Sequence, residues 1–530
     1  MAAEEKVNIP QENEARVPAV HMENITKRFG HNTANSNVTL DIYHGEILSL
    51  LGENGSGKTT LMNILSGIYL PDGGSVYVDG KPVSIKSPKD SYDLHIGMIH
   101  QHFKLVDLLS AAENVVLGLN ESHLLKLKGV RKAVKDICDK YGFEIDPDKK
   151  VYDMSVSEKQ TLEIVKVLYR GADILILDEP TAVLTPQETR KLFNVMRNMK
   201  ANGKSIVIIT HKLHEVMEIS DRVAVLRKGE YVGDLLTKDT DPQELTDMMV
   251  GRAVSLNIDR PEPENVRKCL EVEHLTVVDA EGVTKLSDVS FTANGGEILG
   301  VAGVAGSGQK ELLEVVAGLQ PARPGSSIIY TDMDGKTSSL IGKTPMEIKK
   351  LGVHLAFVPE DRLGMGLVGD LDIADNMLIR TYTDGSGMFV DMKKPRQLAE
   401  DIVREFEVVT PGITTAVRKL SGGNVQKVLV GREISGKPSL LMSAYAVRGL
   451  DINTSYTIYR LMNEQKKRGA AVIYVGEDLD VLLELCDRIL VLCSGRISGI
   501  VDGRTATKEQ VGLMMTHIGS PEEAGSEDAE

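Results

Sequence analysis

The sequence predicts an α/β protein of two similar domains in tandem, each with a mainly parallel sheet core and a helical subdomain. Short apolar runs such as ILILD at 174–178 and SIVIIT at 205–210 alternate with amphipathic helical stretches. That alternation is typical of parallel strands covered by helices on both faces. The chain also repeats itself: GEIL at 45–48 recurs at 296–299, and DRVAVL at 221–226 returns as DRILVL at 487–492. Chance similarity would not preserve the order of several motifs, so we expect two homologous halves.

The composition indicates a globular protein. A length of 530 residues with 42% hydrophobic residues suffices for two to four domains with buried cores. No apolar run approaches the roughly 18 residues of a membrane span, and the polar N-terminus is unlike a signal peptide. The net charge of -15 and the absence of tryptophan argue against a nucleic-acid partner. Four scattered cysteines without a CxxC pair suggest free thiols in a reducing compartment.

Composition also suggests where the segments of the chain begin and end. The stretch GRAVSLNIDRPEPE is charged and rich in proline, which is typical of a linker. Residues 104–152 lack strand-like runs, so we expect a mainly helical insert there. The predicted segments are a disordered lead at 1–17, a first domain at 18–250, a linker at 251–265, a second domain at 266–519 and an acidic tail at 520–530.

The stretch GENGSGKTT lies between the apolar run EILSLL and a helical segment, and it predicts a phosphate-binding loop. Its glycines allow a tight turn with N–H groups pointing inward, and the following helix adds its positive end. Lys58 would bridge the β- and γ-phosphates and the Thr59 hydroxyl would bind Mg²⁺. A glycine-rich turn before an ordinary helix is the alternative explanation. The predicted phosphate-binding residues are Gly52, Glu53, Asn54, Gly55, Ser56, Gly57, Lys58, Thr59 and Thr60.

Four further polar residues follow predicted strands and are candidates for hydrolytic chemistry. Asp178 would hold Mg²⁺, directly or through water, and Glu179 would polarise the attacking water. Gln101 offers an oxygen to Mg²⁺ and an amide to the water, and His211 could contact the γ-phosphate. An acidic exit from a strand before a proline would explain the carboxylates equally well if they stood alone, and a lone histidine usually has no catalytic role.

Phe29 could stack on an adenine ring, although a core phenylalanine is nearly as good an explanation. His100 and His102 flank Gln101 and could suggest a metal site. Two histidines without further ligands are more often structural or solvated.

With LSGGN at 420–424 the set of motifs is complete, and the chain resembles the ABC transporter ATPases. The resemblance covers roughly residues 18–519 and implies ATP and Mg²⁺ as cofactors. In that family the signature of one domain clamps the nucleotide held by the phosphate loop of the other. It therefore implies that nucleotide binding also involves Ser421, Gly422, Gly423 and Asp451 of the second half.

More narrowly, the chain looks like the tandem ATPases of bacterial monosaccharide and nucleoside importers. VPEDR at 358–362 and GEDLD at 476–480 resemble the second half of that subgroup. IHQHF at 99–103 and YRGADILILDEPTAVLTPQE at 169–188 look more like its nucleoside-uptake branch than like its ribose or galactose branch.

The two halves differ in their chemical residues. The signature of the first half carries Val156, Ser157 and Glu158, which place side chains and a repelling charge where glycines would approach phosphate; the second keeps its glycines. We therefore predict one competent and one degenerate composite ATP site. By the repeat, Lys58, Thr59, Asp178, Glu179 and His211 are replaced in the second half by Gln309, Lys310, Ala444, Tyr445 and Glu477, and Gln101 approximately by Glu360.

The resemblance implies an ATP-hydrolysing subunit that energises solute import from the cytoplasmic face of a bacterial membrane. Its implied partners are two integral-membrane permease subunits, reached through the segments after Gln101 and Glu360, and an extracellular solute-binding lipoprotein or receptor. A nucleoside is the expected solute and a monosaccharide the alternative. A soluble tandem ABC protein acting on ribosomes or DNA would usually have a basic linker and two catalytic glutamates. Here the linker is mixed in charge and Glu179 has no glutamate counterpart, which disfavours that alternative. A purely regulatory nucleotide sensor would leave the intact motifs unexplained.

Overall fold

The computed structural model forms two compact units, one from the described residues of 1–184 and 188–254, the other from those of 185–187 and 255–530. Several predicted features lie outside the described residues: the lead up to residue 16, the acidic tail, residues 252–257 of the predicted linker, His102, the VPEDR motif with Glu360, and Glu477. The described residues are 17–30, 32–101, 103–119, 127–182, 184–251, 258–279, 281–304, 306–357, 366–382, 391–434, 438–447, 450–476 and 478–516.

The first unit contains two sheets and the helices that cover them. Its described strands are β1 Val20–Phe29, β2 Asn32–Ile42, β3 Ile47–Leu51, β4 Gly73–Val78, β5 Lys81–Val83, β6 Ile96–Ile99, β7 Ile174–Asp178, β8 Ser205–Ile209, β9 Arg222–Arg227 and β10 Glu230–Leu236. Its described α-helices are α1 Lys58–Leu65, α2 Pro88–Asp93, α3 Ala111–Val116, α4 Leu127–Tyr141, α5 Val156–Tyr169, α6 Pro186–Ala201, α7 Leu213–Ile219 and α8 Pro242–Val250.

The main sheet has the strand order β10-β9-β3-β8-β7-β6. The pairs from β9 to β6 are parallel and β10 is antiparallel to β9. Strands β3, β7 and β8 are apolar throughout most of their length because both faces are buried. The parallel strands thus confirm the α/β prediction.

The side chains of these strands alternate between two cores. Ile47 and Leu177 lie in a core shared with helices α3, α4 and α5. Leu48 and Ile176 face the other way, into a core closed by the second sheet. That second sheet, which was not predicted from the sequence, is antiparallel and has the order β2-β1-β4-β5. Helices α3 and α4 confirm the helical insert over the described residues.

The second unit repeats the same plan. Its sheets have the orders β12-β11-β14-β15 and β16-β17-β18-β13-β19-β20, which match those of the first unit. Its described strands are β11 Arg267–Val278, β12 Thr284–Gly295, β13 Ile298–Gly303, β14 Ser327–Thr331, β15 Thr337–Ser339, β16 Val353–Phe357, β17 Leu440–Ala444, β18 Ala471–Val475, β19 Arg488–Cys493 and β20 Arg496–Asp502. Its described α-helices are α9 Gln309–Val316, α10 Pro345–Lys350, α11 Ile373–Thr381, α12 Lys393–Glu405, α13 Gly422–Ile434, α14 Ile452–Lys467, α15 Leu479–Leu485 and α16 Lys508–Met514.

The repeat extends to buried polar contacts. In the first unit Arg222 contacts Glu46 at 2.8 Å, and in the second Arg488 contacts Glu297 at 2.5 Å. Since both units keep this pair whatever their site residues, it belongs to the fold. Among the described residues, no helix is both long and apolar enough to cross a bilayer. The four cysteines are buried free thiols.

Candidate nucleotide site

The parallel sheet of the first unit gathers the predicted site at one edge. Strands β3, β6, β7 and β8 all run in the same direction, so their carboxyl ends lie at the same edge. The phosphate loop follows β3, Gln101 follows β6, Asp178 ends β7 and His211 follows β8. Residues far apart in sequence therefore meet because four strands end together.

The phosphate loop is a tight turn into the N-terminus of α1. Gly57 has a φ of 97°, and a Cβ added to it would lie 2.3 Å from the carbonyl oxygen of Ala34. Lys58 is 6% exposed, and its Nζ donates to the carbonyl oxygens of Gly52 at 2.7 Å and Glu53 at 3.0 Å. The ammonium group is thus held inside the loop, where it can face a phosphate.

Burial lowers the pKa of Lys58 to about 8, although nearby carboxylates, chiefly that of Glu179, act in the opposite direction. An anionic phosphate beside the ammonium group would favour its charged form. The loop therefore holds a buried ammonium group whose charge an anion would stabilise.

Two buried atoms beside the loop have no hydrogen-bond partner within the described part of the chain: Oγ of Ser56 and Oδ1 of Asn35. Asn35 also donates its Nδ2 to the carbonyl oxygen of Gly57 at 3.2 Å. An unsatisfied buried hydroxyl in a phosphate loop fits a bound phosphate oxygen as its missing partner. Asn35 was not identified from the sequence, because its burial and its contact with Gly57 are visible only in the fold.

Thr59 and Asp178 lie together as the Mg²⁺ prediction requires. The Thr59 hydroxyl donates to Oδ1 of Asp178 at 3.3 Å. Burial raises the pKa of Asp178 to about 6, partly offset by this hydrogen bond. Neighbouring hydroxyl and carboxylate oxygens are the hard donors that Mg²⁺ prefers, and a cation would draw the carboxyl into its charged form. The residues present thus fit a magnesium ion.

Glu179 is the centre of the candidate hydrolytic cluster, which it forms with Gln101 and His211. Its Oε2 accepts from Nε2 of Gln101 at 2.8 Å, and its Oε1 accepts from Nδ1 of His211 at 3.1 Å. The hydrogen bond from His211 lowers the pKa of Glu179, outweighing burial. Its backbone lies in the left-handed region, with a φ of 48°, and its N–H donates to the carbonyl oxygen of Ile209. Two side chains thus hold the carboxylate at the sheet edge where the other predicted site residues lie.

Phe29 lies at the surface. Its side chain is 44% exposed and makes an edge contact with Tyr69, with ring centroids 5.2 Å apart. The structure therefore excludes the core explanation for Phe29 and leaves adenine stacking as a prediction.

The second unit has the same backbone without the same chemistry. Gln309 takes the place of Lys58, and its Nε2 donates to the carbonyl oxygen of Val304 at 3.1 Å, as Lys58 does to Glu53. Tyr445 has a φ of 55°, close to that of Glu179. Lys310, in place of Thr59, lies 3.7 Å from Glu314 on the surface of α9. The fold was kept while the groups that would bind Mg²⁺ and polarise water were replaced.

The two signatures begin their helices differently. In the second unit Ser421, Gly422 and Gly423 are exposed at the start of α13, and Asn424 donates its Nδ2 to Oγ of Ser421 at 2.8 Å. In the first unit Ser155 and Glu158 form a reciprocal capping box at the start of α5.

Lys149 contacts Glu158 at 2.7 Å. The expectation that Glu158 presents a repelling charge is therefore wrong: its charge is paired, and its carboxylate satisfies the N-terminus of its own helix. The backbone N–H of Ser155 already donates to Oε2 of Glu158 and is not available to another acceptor. This end of α5 is therefore still disfavoured as an anion site.

Asp451 caps a helix within its own unit. Its Oδ1 accepts from the N–H of Thr454 at 2.8 Å, and Lys427 lies 3.0 Å from its Oδ2. Its pKa is lowered by the Thr454 N–H and by Lys427, which together outweigh burial. Participation in nucleotide binding by Asp451, like that of Ser421, Gly422 and Gly423, stays a prediction.

Comparison with known proteins agrees with these observations. The ABC transporter family matches residues 35–182 and 286–443, one match in each unit. The chain is 39% identical to "Nucleoside import ATP-binding protein NupA" of Lactococcus lactis, over 94% of this chain and 98% of that one. It is 41% identical to "Guanosine import ATP-binding protein NupO" of Bacillus subtilis, over 94% and 97%. It is 38% identical to "Ribose import ATP-binding protein RbsA 1" of Rubrobacter xylanophilus, over 93% and 97%. The chain therefore belongs to the ABC transporter family and carries two of its ATPase domains in tandem.

Proposed function

We propose that this transport ATPase hydrolyses ATP at one site, that of the first unit, and thereby drives import of a nucleoside through a separate membrane permease. One observation carries the proposal. The carboxylate of Glu179 is held between Gln101 and His211 beside Thr59 and Asp178, whereas the second unit has an alanine and a tyrosine on the same backbone.

The residues of the first unit divide the work of phosphoryl transfer. The loop amides and Lys58 hold the phosphates, and Phe29 offers an exposed ring to the base. Glu179 accepts a hydrogen bond from the attacking water, and Gln101 and His211 keep its carboxylate in position. A magnesium ion held by Thr59, Asp178 and Gln101 would neutralise charge on the phosphates. ADP and phosphate then leave, and the cycle can repeat.

The names of the relatives support a nucleoside as the solute. NupA and NupO are named for nucleoside and guanosine import, and the ribose relative shows a similar identity. A monosaccharide is therefore the second candidate. We propose two integral-membrane permease subunits and an extracellular solute-binding lipoprotein as partners, with the chain on the cytoplasmic face of the membrane, because these relatives are named as ATP-binding proteins of importers.

Uptake measurements in cells test the solute. Cells with the chain, without it, or with Glu179→Gln would receive labelled guanosine, uridine, ribose and galactose. We expect loss of nucleoside uptake, but not of sugar uptake, in the last two strains, because Glu179→Gln leaves binding intact and removes the carboxylate that acts on water. Loss of a sugar instead would refute the nucleoside assignment, and unchanged uptake of all four would refute both named solute classes.

A further inference from the structure

A largely buried polar network of Thr181, Lys212 and Glu215 adjoins the hydrolytic cluster of the first unit. None of its members is a predicted site residue. Oγ1 of Thr181 donates to Oε2 of Glu215 at 2.7 Å, and Nζ of Lys212 lies 3.1 Å from Oε1 of the same carboxylate. Lys212 also donates to the carbonyl oxygen of Thr181 at 3.2 Å. Thr181 and Glu215 are only 2% and 3% exposed. Each donor thus has a partner, and the hydrogen bond between Thr181 and Glu215 is shielded from water.

The network joins the two loops that carry the reacting side chains. Thr181 is two residues after Glu179, and Lys212 directly follows His211. Glu215 lies in the first turn of α7 and accepts from both loops. The hydrogen bond between His211 and Glu179 spans the same two loops, so its length depends on how firmly they are tied. A buried, satisfied network of this kind restricts such motion.

The second unit provides an internal comparison. By the repeat, Thr181, Lys212 and Glu215 correspond to Val447, Asp478 and Val481. Val447 and Val481 pack against the apolar core of that unit, and Asp478 instead caps α15. The fold therefore forms without the network. By contrast, the pair Glu46–Arg222 recurs as Glu297–Arg488. The network disappears together with the catalytic carboxylate, and the fold pair does not.

We infer that Thr181, Lys212 and Glu215 are positioning residues for ATP hydrolysis, holding the Glu179 loop and the His211 loop at their reactive separation. This inference rests on the proposed role of Glu179. Within the described part of the chain, the hydrogen bonds of Thr181 and Glu215 and the ion pair of Lys212 stay among the Glu179 loop, the His211 loop and the start of α7. We therefore expect the network to act on turnover more than on ATP binding. A displacement of the two loops by a fraction of an ångström would lengthen the hydrogen bond on which the Glu179 carboxylate depends.

The test is the double variant Thr181→Val, Glu215→Val in the purified full chain. It copies the pair that the second unit accommodates, and it removes the Thr181 donor together with its Glu215 acceptor. Lys212 is partly exposed and keeps the carbonyl oxygen of Thr181 as an acceptor, so we expect the variant to fold. We expect kcat for ATP to fall at least about tenfold, with the dissociation constant for ATP within about twofold of the wild type. Thr181→Ser keeps the hydroxyl and should retain most of the turnover, which a purely steric role would not explain.

Glu46→Gln is the matched control because it alters a different buried carboxylate, the one that pairs with Arg222 and that we assign to the fold. It should lower the melting temperature and leave kcat nearly unchanged. Unchanged kcat in the double variant would overturn the inference, as would a parallel loss of kcat, ATP affinity and melting temperature. If the double variant does not fold, Thr181→Val alone, compared with Thr181→Ser, decides by the same criterion. If the Glu179→Gln variant hydrolysed ATP as fast as the wild type, the proposed site itself would be refuted instead.

Discussion

Burial of the Asp178 carboxyl lowers the free energy of unfolding of the nucleotide-free chain, a penalty that its counterpart Ala444 does not have. Burial raises the pKa of Asp178 to about 6, whereas an aspartate in an unfolded chain titrates near pH 4. Between these two values the folded chain binds more protons than the unfolded chain. The free energy of unfolding therefore decreases as the pH rises through this window, and the penalty is fully present above it.

We predict that Asp178→Asn stabilises the nucleotide-free protein at neutral pH while abolishing Mg²⁺-dependent ATP hydrolysis. The gain should be on the order of 1 to 3 kcal/mol, or several degrees in melting temperature. Calorimetry at pH 4.5 and pH 8 checks this, since the difference between variant and wild type should be larger at pH 8.

Ala444→Asp is the matched control, because it introduces a buried carboxyl at the equivalent position, where Gln309 cannot compensate its charge. It should destabilise the chain in the same pH range. An Asp178→Asn variant no more stable than the wild type at pH 8 would contradict the assigned cause of the raised pKa.

Several site residues could be predicted because each lies at or shortly after the end of a strand. The strands that precede the phosphate loop, Glu179 and His211 are mostly apolar, and such runs in an α/β pattern end at one edge of a sheet. Asn35 and Glu215 could not be found this way. Their roles come from contacts with residues distant in sequence, Gly57 and Thr181, and no local pattern encodes those contacts.

Among the elements, burial on both faces decided what the sequence could predict. β7 and β8 are buried at every position, so they read as apolar runs. β1 and β2 are buried on alternate positions, and register shifts interrupt their pairing. Their sequences, VHMENITKRF and NTANSNVTLDI, are too polar and irregular to show a clear period of two. The antiparallel sheet was missed for this reason.

The helix α13 allows a sharp test of the intact signature. A Cβ added to Gly423 would meet no described atom within 4 Å, so the fold itself tolerates a side chain there. The equivalent residue in the first unit is Ser157. The absence of a side chain at 423 is thus unexplained by packing, and the resemblance to the family implies close approach of a phosphate.

We predict that Gly423→Ser lowers the ATPase rate at least about tenfold, because a side chain would keep the helix N-terminus from approaching phosphate, with no change in melting temperature. Steady-state turnover and thermal unfolding of the full chain measure the two effects. The reciprocal variant Ser157→Gly is the control and should leave turnover unchanged. Full activity in Gly423→Ser would remove Gly423 from the predicted nucleotide-binding residues.

At the scale of the whole molecule, duplication separates what the fold needs from what the chemistry needs. Both units keep the same strand orders, the left-handed residue after β7 or β17 and the buried arginine–glutamate pair. Only the first keeps the lysine, the carboxylates and the network around Glu215. The sequence alone predicted the loss of the lysine and the carboxylates, because the repeat aligns each replaced residue with its counterpart, whereas the network around Glu215 was found only in the structure.

That asymmetry predicts how many nucleotides turn over per chain. Orthovanadate with ADP and Mg²⁺ resembles the transition state of phosphoryl transfer, so a site that catalyses hydrolysis holds it much more tightly than a site that merely binds nucleotide. We predict at most one trapped ADP per chain, since the second unit lacks the carboxylates that act on water and metal. Glu179→Gln and Lys58→Gln should each abolish trapping, whereas Gln309→Ala, the matched change in the second phosphate loop, should leave it intact. Two trapped nucleotides per chain, or trapping that survives Glu179→Gln, would mean that the second unit hydrolyses ATP with groups other than those of the first.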